Sequence, residues 1–211
     1  MRDCVIDLSH FNGLHLDFVK AKAAGIEGVI HKATQGTRYA DPRMLENRRA
    51  VLEAGLLFGA YHFGTGSTTG KDQADYFLET VPQGGLLVLD FEPNPQGSTM
   101  SVRQAQDFCA AVEVHTKKPI TIYTGAPMMP QAIQLGSGAF GQRPLWWAAY
   151  RRAPSNAPSG WPMALWQYSD HAQVDGIGFC DRNEFFGEDL KQFWEGSAFA
   201  GVTSGVKGEV A

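Results

Sequence analysis

The chain is short of the residues that several large protein classes depend on. Three cysteines, Cys4, Cys109 and Cys180, are scattered over 211 residues. That is too few and too dispersed for a metal knuckle or a disulfide framework, and buried reduced thiols are the expectation. Basic residues number 18 against 22 acidic ones, for a net charge of −4, and no basic run occurs. A phosphate-tracking surface needs clustered Lys and Arg, so nucleic acid is excluded as an expected partner. No apolar stretch approaches the roughly 20 residues of a membrane span, and the opening MRDCVIDLSH has no h-region. A soluble chain without membrane attachment or a standard export signal is expected.

What the chain does have is a repeated local pattern. Eight short segments run from apolar or β-branched residues into a polar one: CVIDLSH (4–10), GVIHKAT (28–34), FGAYHFG (58–64), LLVLDFE (86–92), ITIYTG (120–125), LWWAAY (145–150), ALWQYS (164–169) and GFCDRNEF (178–185). Each has strand length, and most are bounded by Gly, Pro, Ser or Asp. Helix-like stretches separate the first five from their successors. Asp41–Pro42 reads as an N-cap and first helical residue for 41–54, which stops at Gly55. Ala74, Phe77, Leu78 and Val81 share one face of 72–81. Ser101 with Gln104 forms a capping box ahead of Val102, Ala105, Cys109 and Val112. The stretches 15–24 and 127–135 complete a set of five.

Alternating strand and helix argues for a parallel sheet, and eight strands argue for its closure into a barrel with an incomplete ring of helices. An open doubly wound sheet is the alternative. The expected fold is thus an irregular, TIM-like α/β barrel over 1–195, with a small, polar, flexible tail over 196–211 and no second domain.

In such a barrel, functional groups collect at the C-terminal ends of the strands. Those ends carry Asp7, His31, Tyr61 with His62, Asp90 with Glu92, Tyr123, Trp146, Gln167 with Tyr168, and Asp181 with Asn183. Asp90 and Glu92 close an apolar strand about 6.6 Å apart along the backbone and face one side. Two like charges there do nothing for stability. A single strand-end Asp is often a cap or turn residue, and each Trp serves equally well in a core. Two chemistries suit the set. Carboxylates with His62 could hold a divalent metal, although no H-x-H, H-x-x-x-H or Cys pair is present. Paired carboxylates beside aromatic platforms suit glycoside hydrolysis, where one carboxyl stays protonated to donate to the leaving oxygen. Proximity to Asp90 is a means of keeping Glu92 protonated.

The motifs VIDLSHFNG, KATQGTRYADP, AGLLFGAYHFG, LLVLDFE, ITIYTG, LWWAAY, MALWQYS and VDGIGFCDRNEF, in this order, make the sequence resemble glycoside hydrolase family 25, the lysozymes of the bacteriophage and Chalaropsis type, over nearly all of 4–185. The resemblance implies an irregular barrel of eight strands and five helices. It implies cleavage of the β-1,4 bond between N-acetylmuramic acid and N-acetylglucosamine in bacterial peptidoglycan, without a cofactor or metal. Residue by residue, Glu92 looks like the proton donor and Asp90 like its partner. Asp7 and Asp181 look like the acids of the first and last strands. Tyr61, Tyr123 and Trp146 look like substrate-lining residues, and His62, Gln167, Tyr168 and Asn183 join them as expected substrate contacts. Family 18 chitinases carry further acids before the same pair, where this chain has Val88 and Gly85. Gln35 departs from the Glu often found in relatives. A monomer with no separate wall-binding module is expected, reaching the wall by phage lysis or a dedicated secretion route. A glycan-binding barrel without activity is a further alternative, against which the presence of all four acids argues.

Overall fold

The computed structural model describes residues 1–150, 153–154 and 157–196. Beyond Gly196, the expected tail lies outside the described residues. Among the described residues there are nine strands: β1 Arg2–Leu8, β2 Gly28–Gln35, β3 Tyr39–Ala40, β4 Leu57–Phe63, β5 Leu86–Asp90, β6 Thr121–Gly125, β7 Leu145–Ala148, β8 Met163–Val174 and β9 Gly178–Phe185. The α-helices are α1 Phe18–Ala23, α2 Met44–Glu53, α3 Gly70–Thr80, α4 Val102–Thr116, α5 Met129–Leu135 and α6 Leu190–Trp194. Eight strands close in the order β1-β2-β4-β5-β6-β7-β8-β9 and back to β1, and the two-residue β3 hangs on the end of β2.

The barrel is parallel except for β9, which runs antiparallel to both β8 and β1. The parallel sheet argued from the strand–helix alternation is found for the other seven barrel strands, and β9 alone is reversed. Only the short link 175–177 separates β8 from β9, and a crossover needs a dozen or more residues, so the chain can only turn back as a hairpin.

Helix boundaries follow local chemistry. The capping box at Ser101 and Gln104 forms and starts α4. Thr69 caps α3 by accepting from the Asp72 amide at 3.1 Å. Asp41 does not cap α2, which starts at Met44. Its buried carboxylate instead accepts from the Arg43 and His10 amides, both at 3.0 Å, and contacts His10 Nδ1 at 2.9 Å. Tying the loop after β1 to the loop before α2 is thus its local role.

The core has two layers. Outward residues of the strands meet the helices, with Ile6, Val29, Phe58, Leu89, Ile122 and Trp147 packed against Phe77, Phe108 and Val112. Inward residues, including Val5, Ile30, Val88, Tyr123, Trp146, Leu165 and Phe185, fill the barrel with Leu190, Phe193 and Trp194 of α6. This sixth helix plugs the N-terminal end of the barrel. A Cβ on Gly28, the first residue of β2, would stand 2.7 Å from the Trp194 ring, so glycine there makes room for the plug. The lower barrel is consequently apolar and aromatic apart from Thr121, which pairs with the inward Val88, and the inward carboxyls gather at the other end.

Candidate active site

Strand alternation sends neighbouring residues to opposite faces, and this sorts the strand-end residues. Asp7, Tyr61, Asp90, Glu92, Tyr123, Trp146, Gln167 and Asp181 line one cavity of about 70 Å³ at the barrel mouth. Asp181 arrives there because β9 is reversed: it pairs with Asp7 across the β1–β9 ladder. Glu92 also lines a second cavity of about 390 Å³ with Pro93, Tyr123, Ala148 and Tyr150. Glu92 and Tyr123 are thus shared by two adjoining spaces.

Three of the expected substrate contacts lie elsewhere. His62 is fully buried behind the barrel wall, between Thr34 Oγ1 at 2.7 Å and Gln73 Oε1 at 3.2 Å, and stacks on Phe108 at 4.7 Å. Burial pushes its pKa down to about 4, so it is a neutral core imidazole; being next to the inward Tyr61, it has to face outward. Tyr168, next to the inward Gln167, also faces outward and donates to Asp3 at 3.0 Å. Asn183 lies one layer below the mouth, opposite Val5. There it accepts from the Trp146 indole N–H at 2.7 Å and donates to Asp7 Oδ2 at 2.9 Å. It orients two lining residues without lining the cavity. His31 likewise faces outward, toward Lys32 O and Asn47.

Gln167 links the two sides of the mouth. Its Oε1 accepts from Tyr123 at 2.8 Å and Tyr150 at 3.0 Å, and its Nε2 donates to Asp7 at 3.0 Å and Asp181 at 3.2 Å. Both ends of the amide are used, which fixes its orientation. Trp146 stands edge-on to Tyr123 at 4.7 Å, so the aromatic wall is also held in place.

Four carboxyls in one desolvated mouth cannot all be ionised. Desolvation raises Asp7, and hydrogen bonds from Asn183, Gln167 and Asp181 oppose that rise. Asp181 is pushed up to about 9, first by desolvation and then by the charge of Asp7. The pair therefore holds one proton, on Asp181, which donates to the Asp7 carboxylate. Desolvation raises Asp90 well above the ordinary carboxylate range, and Glu92 adds to it. Glu92 is raised as well, again chiefly by desolvation. Asp90 Oδ1 is buried without a hydrogen-bond partner, an acceptor position the fold itself does not satisfy.

Two residues that bear on this chemistry escape a strand-end reading. Lys32 is half-buried between the rings of Tyr39 and Phe63 and donates to Gln35 at 2.8 Å; its charge lowers the pKa of both Asp90 and Glu92. Two residues beyond the inward Ile30, it is placed inward by the alternation that turns His31 away. Tyr150 lies just past β7, and no periodicity marks it. Among the described residues no group of three or more His, Cys, Asp or Glu is arranged to hold a metal ion.

Comparison with known proteins accords with this geometry. The family model for glycosyl hydrolases family 25 matches residues 6–177. Lysozyme M1 of Streptomyces globisporus is 35% identical over 202 residues, 86% of this chain and 67% of its own length. The uncharacterized protein YegX of Escherichia coli K12 is 38% identical over 194 residues, 88% of this chain and 65% of its own. The chain thus spans about two thirds of the length of these relatives. The crystal structure of a bacterial lysozyme from Streptomyces coelicolor superposes with a TM-score of 0.76 at 31% identity, covering 90% of this chain and 95% of that one. With a family model matched over most of its length and a four-carboxyl mouth on an eight-stranded barrel, the chain belongs to glycosyl hydrolases family 25.

Proposed function

We propose that this chain is a muramidase, a hydrolase of the β-1,4 bond between N-acetylmuramic acid and N-acetylglucosamine in bacterial peptidoglycan. The observation that carries the reading is the position of Glu92, shared by two adjoining cavities and raised in pKa by desolvation. A general acid must reach the oxygen between two sugars, and a carboxyl common to two subsites does so. The similarity to a protein named a lysozyme supports the same substrate.

In this reading Glu92 protonates the leaving oxygen. Asp90 stands two residues away on the same side, so it does not supply the opposed nucleophile of a standard retaining pair. Its unpartnered Oδ1 is suited to accept the acetamido N–H of the muramic acid. That hydrogen bond favours an ionised Asp90 and leaves the pair's proton on Glu92. The acetamido oxygen then attacks the anomeric carbon as the bond to the leaving oxygen breaks, and water opens the cyclised intermediate with retention. Asp7, held by Asn183 and Gln167, balances the developing positive charge.

In this reading the chain acts as a monomer on the glycan strand. The acidic mouth disfavours nucleic acid, and no helix among the described residues is long and apolar enough to cross a membrane. Action at the cell wall follows from the substrate, and neighbouring genes distinguish phage lysis from dedicated secretion as the delivery route. The test is chemical: digested peptidoglycan yields new reducing ends on muramic acid and no new N-terminal amines, and de-N-acetylated glycan is a poor substrate. Reducing ends on glucosamine refute the bond assignment; normal cleavage of de-acetylated glycan refutes the role given to the acetamido group.

A further inference from the structure

The rim of the mouth beside Asp181 carries aromatic surface that the chemistry above does not use. Phe179 shares a face of β9 with Asp181, two residues on, and projects beyond the closed barrel. It is 56% exposed, and the His171 ring lies parallel to it, 8° apart in plane and 4.0 Å between centroids. Phe11, in the loop after β1, is 84% exposed and lies 4.0 Å from the His10 ring. Asn12 joins the two segments by donating to the Phe179 carbonyl at 3.1 Å. Single exposed apolar residues are ordinary, whereas two exposed aromatic rings, each against a histidine ring, on neighbouring segments tied by a hydrogen bond at a cleft rim offer a contact surface.

The patch is held rigidly. Val174 and Ile177 of the β8–β9 hairpin are buried against the helix layer, and the Asp17 amide donates to Gly176 O at 2.7 Å. A Cβ on Gly176, whose φ is +82°, would stand 2.3 Å from the Asp17 carbonyl. The hairpin tip is therefore locked to the start of α1, and Phe179 is presented on a fixed wall.

We propose that Phe11, His171 and Phe179 form a remote saccharide subsite that stacks a sugar ring of the glycan strand beyond the two flanking the scissile bond. The inference rests on the muramidase reading and extends it to chain length. The larger cavity beside Glu92 lies on the β6–β7 side of the mouth. The aromatic rim lies on the opposite, β9–β1 side, so a strand crossing Glu92 reaches it. The flat ring pair suits the C–H face of a pyranose. The enzyme then favours long glycan over short oligomers by affinity, not by chemistry.

The experiment compares Phe179→Ala, Phe11→Ala and Phe179→Trp with the parent chain on peptide-free glycan strands, on whole cell wall and on a purified muramyl tetrasaccharide. On long glycan the alanine variants raise KM between about threefold and tenfold with kcat held, the scale of one lost ring stack. The tetrasaccharide is cut as before, and Phe179→Trp restores the parent KM. An unchanged KM on long glycan, equal losses on the tetrasaccharide, or a loss seen only on peptide-bearing wall overturns the subsite. Failure of the parent chain to cut any of the three substrates refutes the muramidase reading itself, so the two failures are separable.

Discussion

Asp181→Asn should stabilise the protein, and increasingly so as pH rises. Asp181 holds its proton up to about pH 9 in the folded chain, against an ordinary value of 3.8. Below the ordinary value both folded and unfolded states bind the proton, and the group has no pH-dependent effect. Above it the unfolded chain releases the proton and gains solvation while the folded chain does not. Stability from this group is therefore present at low pH and lost as pH rises toward 9. Asparagine reproduces the neutral form in shape and still donates to Asp7, but has no proton to release. Between the ordinary value and pH 7 the folded chain keeps a proton that the unfolded chain has lost, at a cost of roughly 1.4 kcal/mol for each pH unit, so the gain has a ceiling of about 4 kcal/mol. Sharing of the proton with Asp7 and partial exposure reduce it to about 2 kcal/mol, still a large fraction of a typical folding free energy.

The assay is urea unfolding of parent and variant at about pH 4.5, 6 and 7.5, with midpoints compared at constant m. The expected difference is smallest at the lowest pH and grows steadily. A pH-independent difference, or a variant less stable at neutral pH, refutes a protonated Asp181. Residues at such sites commonly oppose stability because their arrangement serves the reaction.

The other predictions follow from the same mouth. Glu92→Gln should lose at least about 10²-fold in kcat, the scale of a general acid, with no loss of thermal stability; near-parental turnover would remove Glu92 from that role. Asp90→Asn should lose kcat while KM for glycan stays close to the parent, and a selective rise in KM would make it a binding residue instead. Prolonged EDTA treatment should leave lysis intact, and zinc- or manganese-restored activity would contradict the carboxylate mechanism. Gln35→Glu should place a carboxylate on the Lys32 ammonium, weaken its pull on Asp90 and Glu92, and move both limbs of the pH–rate profile alkaline by about half a unit; an unmoved profile would remove Lys32 from their electrostatics.

What the sequence leaves open in this fold has a common physical origin. Seven of the eight barrel strands run as strand–helix alternation implies, because local hydrophobic runs and turn residues decide existence and length. Direction is set by the linker, and at β9 the three-residue link decided it more surely than the preceding pattern. Facing is set by parity. Tyr61 with His62, and Gln167 with Tyr168, are adjacent pairs of which only one member can reach the mouth, so treating both as substrate contacts could not hold. The same parity keeps Asp90 and Glu92 together and identifies Lys32 over His31. The plug formed by α6 has too few residues for a periodic signal, and its evidence is tertiary: Gly28 makes sense only once Trp194 is packed on it. The acids were legible because a buried strand has no structural use for them. Their division of protons was not, since it depends on Asn183, Gln167 and Lys32 reaching across the barrel from three different strands.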